Sequence, residues 1–569
     1  LYAYFLAAIY RIFGHHYEIV RIIQVVLGSC TWALVYLIGS ETFGKRTGII
    51  AGVAGALYGY SIFLDSELLK NSLAVFTMTA SLYLIVCGMK REKTVYWPAA
   101  GIFLGLTILN QPNVLLLIPV FMMAATGPGE WSLRKLIPVL FLVLGAVAVV
   151  APVTVRNYVV EKDRVLVSSN GGLNFFIANN RESDGGIITS SEFYEIDPRK
   201  QQKQSRRMAE AETGRQMRSS EVSRFWFSLG MRFPQEEPMA FVKLLMKKVM
   251  LFWNAYEVPD NLDYYFMKRY SKLLALSLIS FGIVAPLALL GLGLSFREYR
   301  RHILFYAVIL IFMASVAAFM VFARYRVTIF PLLAVYAAYA ADRIYAFLKE
   351  RDIKAMAFSA AALAVLAYFS HLGIISYPPE YSRKILADMH MKRGQCSEAM
   401  QEYEGALKTI PENLSLRINY AVCLQKCGKE NEALREYDGL LSHRLDPSVR
   451  SEMQLVIARI FLDRNDLRQA EKRYIELLEQ EDNAEALNNL AWIYYAEGIK
   501  LKEARAYSEK ALYISPDSAE YMDTLGMILM REKEFERAAE LLGRASGLMP
   551  ESAEIRRHFD EARRMSGGR

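Results

Sequence analysis

Apolar runs approaching twenty residues recur through the first 373 positions of this chain. A helix of that length and character either spans a bilayer or lies buried in a large core. Ten spans are read, at 19–41, 47–64, 70–89, 97–109, 112–126, 135–154, 272–295, 302–322, 328–346 and 355–373. Backbone groups in hydrocarbon must satisfy one another, so so many spans imply helices. The expected fold class is therefore all-α, with a polytopic transmembrane helix bundle over 1–377. The fourth and fifth spans are short and are separated by Asn110-Gln111-Pro112, so a single kinked helix is the alternative. Charge decides between the two.

With ten spans, the basic clusters Lys45/Arg46, Lys90/Arg91/Lys93, Arg134/Lys135, Arg297/Arg300/Arg301 and Lys349/Arg351/Lys354 all fall on one face. That is the cytoplasmic face by the positive-inside rule. Merging two spans would move the last three clusters outside. The ten-span reading makes residues 1–18, the turn at 65–70, the long loop at 155–271, the turn at Arg324–Arg326 and everything after 377 extracytoplasmic. Residues 1–13 are read as an amphipathic helix lying on the surface, with the tail of a further span as the alternative. The chain opens on Leu1 and shows no signal-peptide pattern, so the expectation is that an N-terminal portion is missing.

Residues 380–569 have another character, rich in Glu, Lys, Arg and Ala. Ala399, Ala433, Ala470, Ala504 and Ala538 recur at intervals of 34, 37, 34 and 34, and Pro516 and Pro550 stand 34 apart. Tyr403, Tyr437 and Tyr474 follow their alanines by four residues; Ala406, Ala511 and Ala545 follow theirs by seven. A small residue lets two helices cross closely, the aromatic fills the next layer, and proline ends the second helix. Gly394 and Gly428 supply turns. The pattern resembles the tetratricopeptide repeat: five copies over about 380–554 and a capping helix at 552–565, stacked as an α-solenoid. Such an array offers a concave face for a protein partner. His390, His443 and His558 stand alone and are read as ordinary residues.

The net charge of +8 resides largely in short loops between spans, which marks membrane orientation and not nucleic-acid binding. Cys30 and Cys87 lie in apolar runs. Cys396, Cys423 and Cys427 show no zinc-site spacing, and the latter two, four apart on a helix, are read as small packing residues.

Candidate chemistry gathers in segments assigned to the outer face. Asp65-Ser66-Glu67-Leu68-Leu69-Lys70 forms a lip between spans. Arg156 and Asn157 stand where a span leaves the membrane; Arg156 alone could snorkel to headgroups. Ser168 to Asn174, with Asn170, Gly171, Gly172 and Asn174, and then Asn179 and Asn180, make a donor-rich loop suited to hydroxyl-rich or anionic groups. Arg324-Tyr325-Arg326 puts two arginines at a span end against the charge rule, and guanidinium is well suited to phosphate oxygens. Residues 236–258 read as an interfacial amphipathic helix, with Met239, Phe241, Leu244, Leu245, Val249 and Phe252 opposite Lys243, Lys247 and Lys248. Asp260 and Asp263 follow without metal spacing.

LYAYFLAAIYRIFG, VRIIQVVLGS and ETFGKRTGIIAG, followed by SELLKNSLAVF, NQPNVLLLIP, PVTVRNYVV, VSSNGGLNFFIANN and ARYRVTIFPLL, carry a family resemblance through about residue 346. They resemble the membrane glycosyltransferases of the C-type (GT-C) fold, closest to bacterial relatives of the dolichyl-phosphate-mannose protein mannosyltransferases and of the lipid A aminoarabinose transferase. The resemblance implies an inner-membrane enzyme that moves a sugar from a polyprenyl-phosphate carrier to a protein or glycan acceptor outside the cytoplasm, with inversion. It implies an acidic residue in a first outer loop, which would precede Leu1. It also implies that Arg324 and Arg326 hold the carrier phosphate, with Lys70 and Arg156 assisting. Glu67 is the visible carboxylate best placed to take a proton. Tyr325 and the Asn/Gly residues of the long loop would line the substrate. No resident cofactor is named, and a divalent metal ion is left open. The competing reading is a non-catalytic membrane scaffold whose repeats organise an envelope complex. A transporter is disfavoured, because no intramembrane acidic relay or matched pair of broken helices is present.

Overall fold

The computed structural model describes residues 1–126, 133–186, 198–260, 263–375, 379–443, 445 and 447–567. The chain divides into two compact units, Leu1–Pro378 and Pro379–Arg569. Both are helical. Among the described residues the sole strand-like pairing is an isolated bridge between Tyr58 and Ile279.

Among the described residues of the first unit six helical segments are long and apolar enough to cross a membrane: Tyr17–Phe43, Asn71–Arg91, Leu136–Glu161, Phe281–Ala317, Ala323–Glu350 and Ile353–Ser370. The Phe281–Ala317 segment comprises helices Phe281–Ser295 and Tyr299–Ala317 joined by a short 3-10 turn. Tyr96–Asn110 is a shorter apolar helix, as is the stretch Pro112–Thr126. Gln111 between them is extended, as a residue before proline prefers, so these two do not run on as one helix. Close crossings use glycine, which lets helices meet backbone to backbone. A Cβ on Gly101 would lie 2.1 Å from the Leu142 carbonyl oxygen, and one on Gly291 would lie 2.0 Å from that of Tyr336. Outward-facing Leu140, Leu144, Val147, Phe358, Val365 and Phe369 are exposed, the distribution a lipid solvent favours.

Two expected spans are divided. The run 47–64 is split into helices Lys45–Ala56 and Gly59–Ser66. The break falls where Tyr58 pairs with Ile279 and Gly59 N–H donates to the Ile279 carbonyl at 3.3 Å. The run 272–295 becomes a short Lys272–Ala275 turn and then the helix from Phe281. The long loop carries helices Gly171–Ala178, Pro198–Thr213, Ser219–Gly230, Arg232–Glu236, Pro238–Phe252 and Tyr264–Tyr270. A small core of Leu173, Ile177, Ala209, Met217, Val222 and Trp226 holds part of it together. The amphipathic reading of 236–258 needs a correction. In Pro238–Phe252 the interior face contains Leu244, Lys248, Leu251 and Phe252, while Met239 and Met246 are exposed. Lys248 lies inside because its Nζ donates to the Ala178 carbonyl (2.9 Å) and to Asn179 Oδ1 (2.8 Å).

The described residues of the second unit form five helix pairs and a final helix. The pairs are Pro379–Lys392 with Cys396–Leu407, Leu414–Lys426 with Glu430–Leu441, Pro447–Asp463 with Leu467–Leu478, Ala484–Glu497 with Leu501–Ile514, and Ala519–Arg531 with Phe535–Leu548; Ala553–Ser566 closes the array. Ala399, Ala433, Ala470, Ala504 and Ala538 are all fully buried, with Tyr403, Tyr437 and Tyr474 beside them. Gly394 and Gly428 take positive φ (72° and 75°), the left-handed conformation their turns require. One expectation is overturned here. Cys427 is not a simple packing residue but is disulfide-bonded to Cys396, which joins the first two repeats; Cys423 remains a buried thiol.

Candidate functional site

Four chain segments meet at one end of the Asn71–Arg91 helix. Lys70 Nζ donates to the Asn110 carbonyl at 2.7 Å, and Asn71 Nδ2 donates to the Arg324 carbonyl at 2.6 Å. The Arg324 guanidinium is ion-paired with Asp260 and donates to the Tyr325 hydroxyl at 3.0 Å. Lys70 and Arg324 feel each other's charge. Among the described residues Lys70 has no carboxylate partner. Asn110 and Gln111 are buried beside it, and among the described residues both side-chain atoms of Asn110 and the Gln111 Oε1 have no hydrogen-bond partner. Buried amides are normally satisfied, so this concentration marks a place where a polar ligand has donors and acceptors waiting.

The lip residues are held from behind. Gln24 Nε2 donates to the carbonyls of Asp65 (3.2 Å) and Glu67 (2.6 Å), and Arg21 Nε donates to that of Ser66 (3.0 Å). The Asp65 carboxyl sits against Gly28, where a Cβ would collide with it. It lines a small pocket with Thr31, Trp32, Ser61, Asn71 and Ser72. Burial pushes its pKa up to about 6, with Ser72 opposing the shift. Burial also raises the Glu67 carboxyl, less the effect of nearby Arg21, but Glu67 does not line this pocket. Asp260 is raised by burial, with Arg324 opposing.

Arg326, two residues from Arg324, is differently placed. It is 2 % exposed. One terminal nitrogen donates to the carbonyls of Leu251, Phe252 and Asn254; the other reaches the Tyr256 carbonyl and Glu257 Oε2, the last at 2.6 Å. Its guanidinium carbon lies 3.5 Å from the centre of the Phe281 ring, and Tyr58 donates to the other Glu257 oxygen. With both terminal nitrogens bound to the protein and the residue almost fully buried, Arg326 is not placed to hold a phosphate, contrary to the expectation that both arginines face one. Its place is in a buried network that ties the end of the long loop to the bundle.

The other expected residues scatter. Arg156 is exposed on Leu136–Glu161, and no hydrogen bond or ion pair among the described residues joins it to the Lys70 cluster. Asn157 Nδ2 donates to the Val165 carbonyl at 3.2 Å. Asn179 is buried, with Nδ2 on the carbonyls of Phe175 and Ala318 (both 2.9 Å), and Asn180 caps the carbonyls of Phe176 and Ile177. These three are structural amides. Asn170, Gly171 and Asn174 are exposed, while Gly172 is buried against Ser223. Among the described residues no group of three or more His, Cys, Asp or Glu could hold a metal ion.

Sequence reasoning passed over Asp65 as an acid, Asp260 as the partner of Arg324, and Asn71, Asn110 and Gln111. The Asn110-Gln111-Pro112 break was a usable signal: two amides at a helix interruption. Nothing local announced the Asp260–Arg324 pair.

The other end of the Asn71–Arg91 helix is basic. Lys90 and Arg91 pair with Glu41 (3.1 and 3.4 Å), and Arg46 pairs with Asp342 at 3.1 Å. Two of the loops assigned to the cytoplasm, those of Lys45/Arg46 and Lys90/Arg91, thus carry ion pairs at the end opposite Lys70.

The first unit, then, is a polytopic bundle with a polar cluster at one end, and the second is a tetratricopeptide solenoid. Comparison with known proteins agrees. Residues 1–155 match the family model of dolichyl-phosphate-mannose-protein mannosyltransferase, which supports a membrane glycosyltransferase relationship for the first unit. Residues 455–519 match that of the tetratricopeptide repeat. Lys70, Asp65 and Glu67 lie inside the first match, and Arg324 and Asp260 outside it. No curated protein matches the chain. Similar solved structures include a tetratricopeptide repeat protein from Parabacteroides merdae (17 % identity, 33 % of this chain and 73 % of that one, TM-score 0.29). PilF of Pseudomonas aeruginosa (16 %, 39 % and 95 %, TM-score 0.29) and a thermophilic repeat protein of Thermus thermophilus (19 %, 32 % and 98 %, TM-score 0.25) are others.

Proposed function

We propose that the chain is a glycosyltransferase of the bacterial inner membrane that moves a sugar from a polyprenyl-phosphate carrier to an acceptor on the extracytoplasmic side. Its repeats would bind the acceptor or a partner protein. The observation that carries this reading is the cluster at the Lys70 end of the bundle: an ammonium with no carboxylate beside it among the described residues, a partly exposed arginine, and buried amides with no partner among those residues.

The chemistry follows from those groups. The leaving group is a phosphate, so no strong general acid is required. Lys70 and Arg324 stabilise the oxygen that departs with the electron pair of the broken C1–O bond. One such well-placed donor contributes about 3 kcal/mol to the transition state. Arg324 keeps donors for this role, because its bonds to Asp260 and Tyr325 occupy only part of the five-donor fork. The acceptor hydroxyl forms the new bond at C1 from the opposite face and loses its proton to a carboxylate. Asp65 is better placed than Glu67, since it lines the pocket and its pKa of about 6 suits a base near neutrality. Tyr325 orients Arg324. Arg156 is read as a headgroup contact.

One observation supports an oxidising compartment for the repeats, and another supports an outward-facing Lys70 cluster. The Cys396–Cys427 disulfide belongs in an oxidising compartment. The basic ion pairs lie at the end of the bundle away from Lys70.

The test is release of labelled sugar from a polyprenyl-phosphate sugar pool by membranes containing the protein, beside a K70A/R324A variant. Release that depends on the two cations supports the reading. Folded protein without release from any carrier sinks it.

A further inference from the structure

The stretch that leads from the long loop into the span at Phe281 is cationic and apolar at once. It holds two short helices, Tyr264–Tyr270 and Lys272–Ala275. Each is capped by a side chain. Asp263 Oδ1 accepts from the N–H groups of Tyr265 (2.8 Å) and Phe266 (3.2 Å), and Ser271 Oγ accepts from that of Leu274 (3.3 Å). The inner side is fixed to the bundle. Tyr264 and Leu274 are buried, the Tyr264 ring packs on Tyr60 and Phe63, and its hydroxyl meets Ser277 Oγ at 2.9 Å. Tyr60 and Phe63 belong to the helix that runs on to the lip, so this stretch lies toward the Lys70 end.

The other side is open. Tyr270 and Leu273 are each 65 % exposed, and Leu276 and Leu278 each 73 %. Lys268, Arg269 and Lys272 are interleaved with them, the last two exposed. Among the described residues no hydrogen bond or ion pair engages any of these three side chains. The helix that follows sets their depth. Phe281–Ser295 has 15 residues and rises about 22 Å, short of the ~30 Å hydrocarbon core. Its far end leads to the basic cluster Arg297/Arg300/Arg301 at the opposite face. The residues just before Phe281 therefore make up the rest of the crossing. Leu276 and Leu278 meet hydrocarbon, and the three cations a few residues earlier stand at headgroup level. Like Arg324, they oppose the charge rule; unlike Arg324, they have no carboxylate partner among the described residues.

We propose that this stretch seats on the bilayer surface and binds an anionic phospholipid: Lys268, Arg269 and Lys272 hold the headgroup phosphate while Tyr270, Leu273, Leu276 and Leu278 lie against the acyl chains. Apolar side chains below and cations above are the arrangement that an anionic lipid surface rewards. Long basic side chains reach headgroups while their stems stay in apolar surroundings. Because the inner side is already fixed to the bundle, little ordering is left for the lipid to impose. An acidic protein partner is the poorer fit, since it would match the cations and leave the leucines that run directly into a span. The inference needs the membrane bundle and not the transferase.

The test uses the full chain in neutral detergent and a fluorescent short-chain phosphatidylglycerol, read by anisotropy, with phosphatidylcholine of the same chain length beside it. The expected result is preference for phosphatidylglycerol, with affinity about 100-fold weaker in K268Q/R269Q/K272Q and nearly kept in K268R/K272R. The melting temperature should hold in both, because exposed cations without partners leave nothing unpaired when removed. The single variants K268Q, R269Q and K272Q should each weaken binding about fivefold, which keeps the test decisive if the triple variant does not fold. Equal affinity for the two lipids overturns the proposal, as does unchanged phosphatidylglycerol affinity in the glutamine variants. Binding of a poly-glutamate peptide without binding of phosphatidylglycerol overturns it in favour of an acidic protein partner.

Discussion

Arg324 and Arg326 leave the same turn, and the molecule uses them in opposite ways. Arg326 is enclosed by four backbone carbonyls, Glu257 and the Phe281 ring, and its positive charge is neutralised where water cannot reach. Arg324 keeps partial exposure and one carboxylate partner, and the turn that carries it is held by Asn71 instead of by its own guanidinium. Identical side chains two residues apart thus divide into one that secures the loop to the bundle and one left to meet a ligand. Exposure and spare donors, not residue type, separate the two.

That contrast can be broken by substitution. Arg326→Ala leaves Glu257 buried without its cation, and losing one partner of a buried pair costs about 3–5 kcal/mol. The expected result is a large drop in the melting temperature of the detergent-solubilised protein; an unchanged melting temperature would erase the distinction drawn here. K70A/R324A should do the reverse. Sugar release should fall by about 100-fold or more, while the melting temperature drops less than in Arg326→Ala, because Asp260 also loses its cation but is less enclosed than Glu257. Arg324→Lys sharpens the point, because it keeps the charge and loses the fork. Release should drop by about tenfold, between wild type and the double variant, and wild-type rates in this variant would mean that charge alone suffices.

The smallest effect concerns Asp65, and pH reads it. Its folded pKa of about 6 lies above the ordinary 3.8, so the folded chain holds the proton more tightly. As a base Asp65 must be ionised: release should be level above pH 7 and decline toward about tenfold per unit well below pH 6. The stability contribution of this group has the opposite sense. It is fully present below pH 3.8 and is lost as pH rises through 6, because the unfolded chain ionises first. Asp65→Asn should abolish the acid limb of the rate profile, whereas Glu67→Gln should preserve it. The reverse result would return the role to Glu67.

The repeat unit was legible almost residue by residue. Its contacts join neighbours about 34 positions apart, so a buried alanine has to recur at that interval and the spacing itself exposes the fold. The disulfide was not legible, since Cys396 and Cys427 meet only after two repeats stack. In the membrane unit, hydropathy indicated helices and the Asn110-Gln111-Pro112 interruption marked a real break. It did not show that the run 47–64 divides at Tyr58, because the partner there, Ile279, is far along the chain. Of the expected site residues, Lys70, Arg324 and Tyr325 are brought together. Arg326, Asn157, Asn179 and Asn180 bind the protein itself.

The sequence by itself determined the solvent of each half, the helical class and the repeat period. Those properties are sums over many residues, and each residue reports its own hydrophobicity and spacing. Only the tertiary structure decided which charge is spent inside and which is left open. That choice depends on whether carbonyls and carboxylates from remote segments, such as Leu251 to Glu257 around Arg326 and Asp260 beside Arg324, arrive within hydrogen-bonding reach.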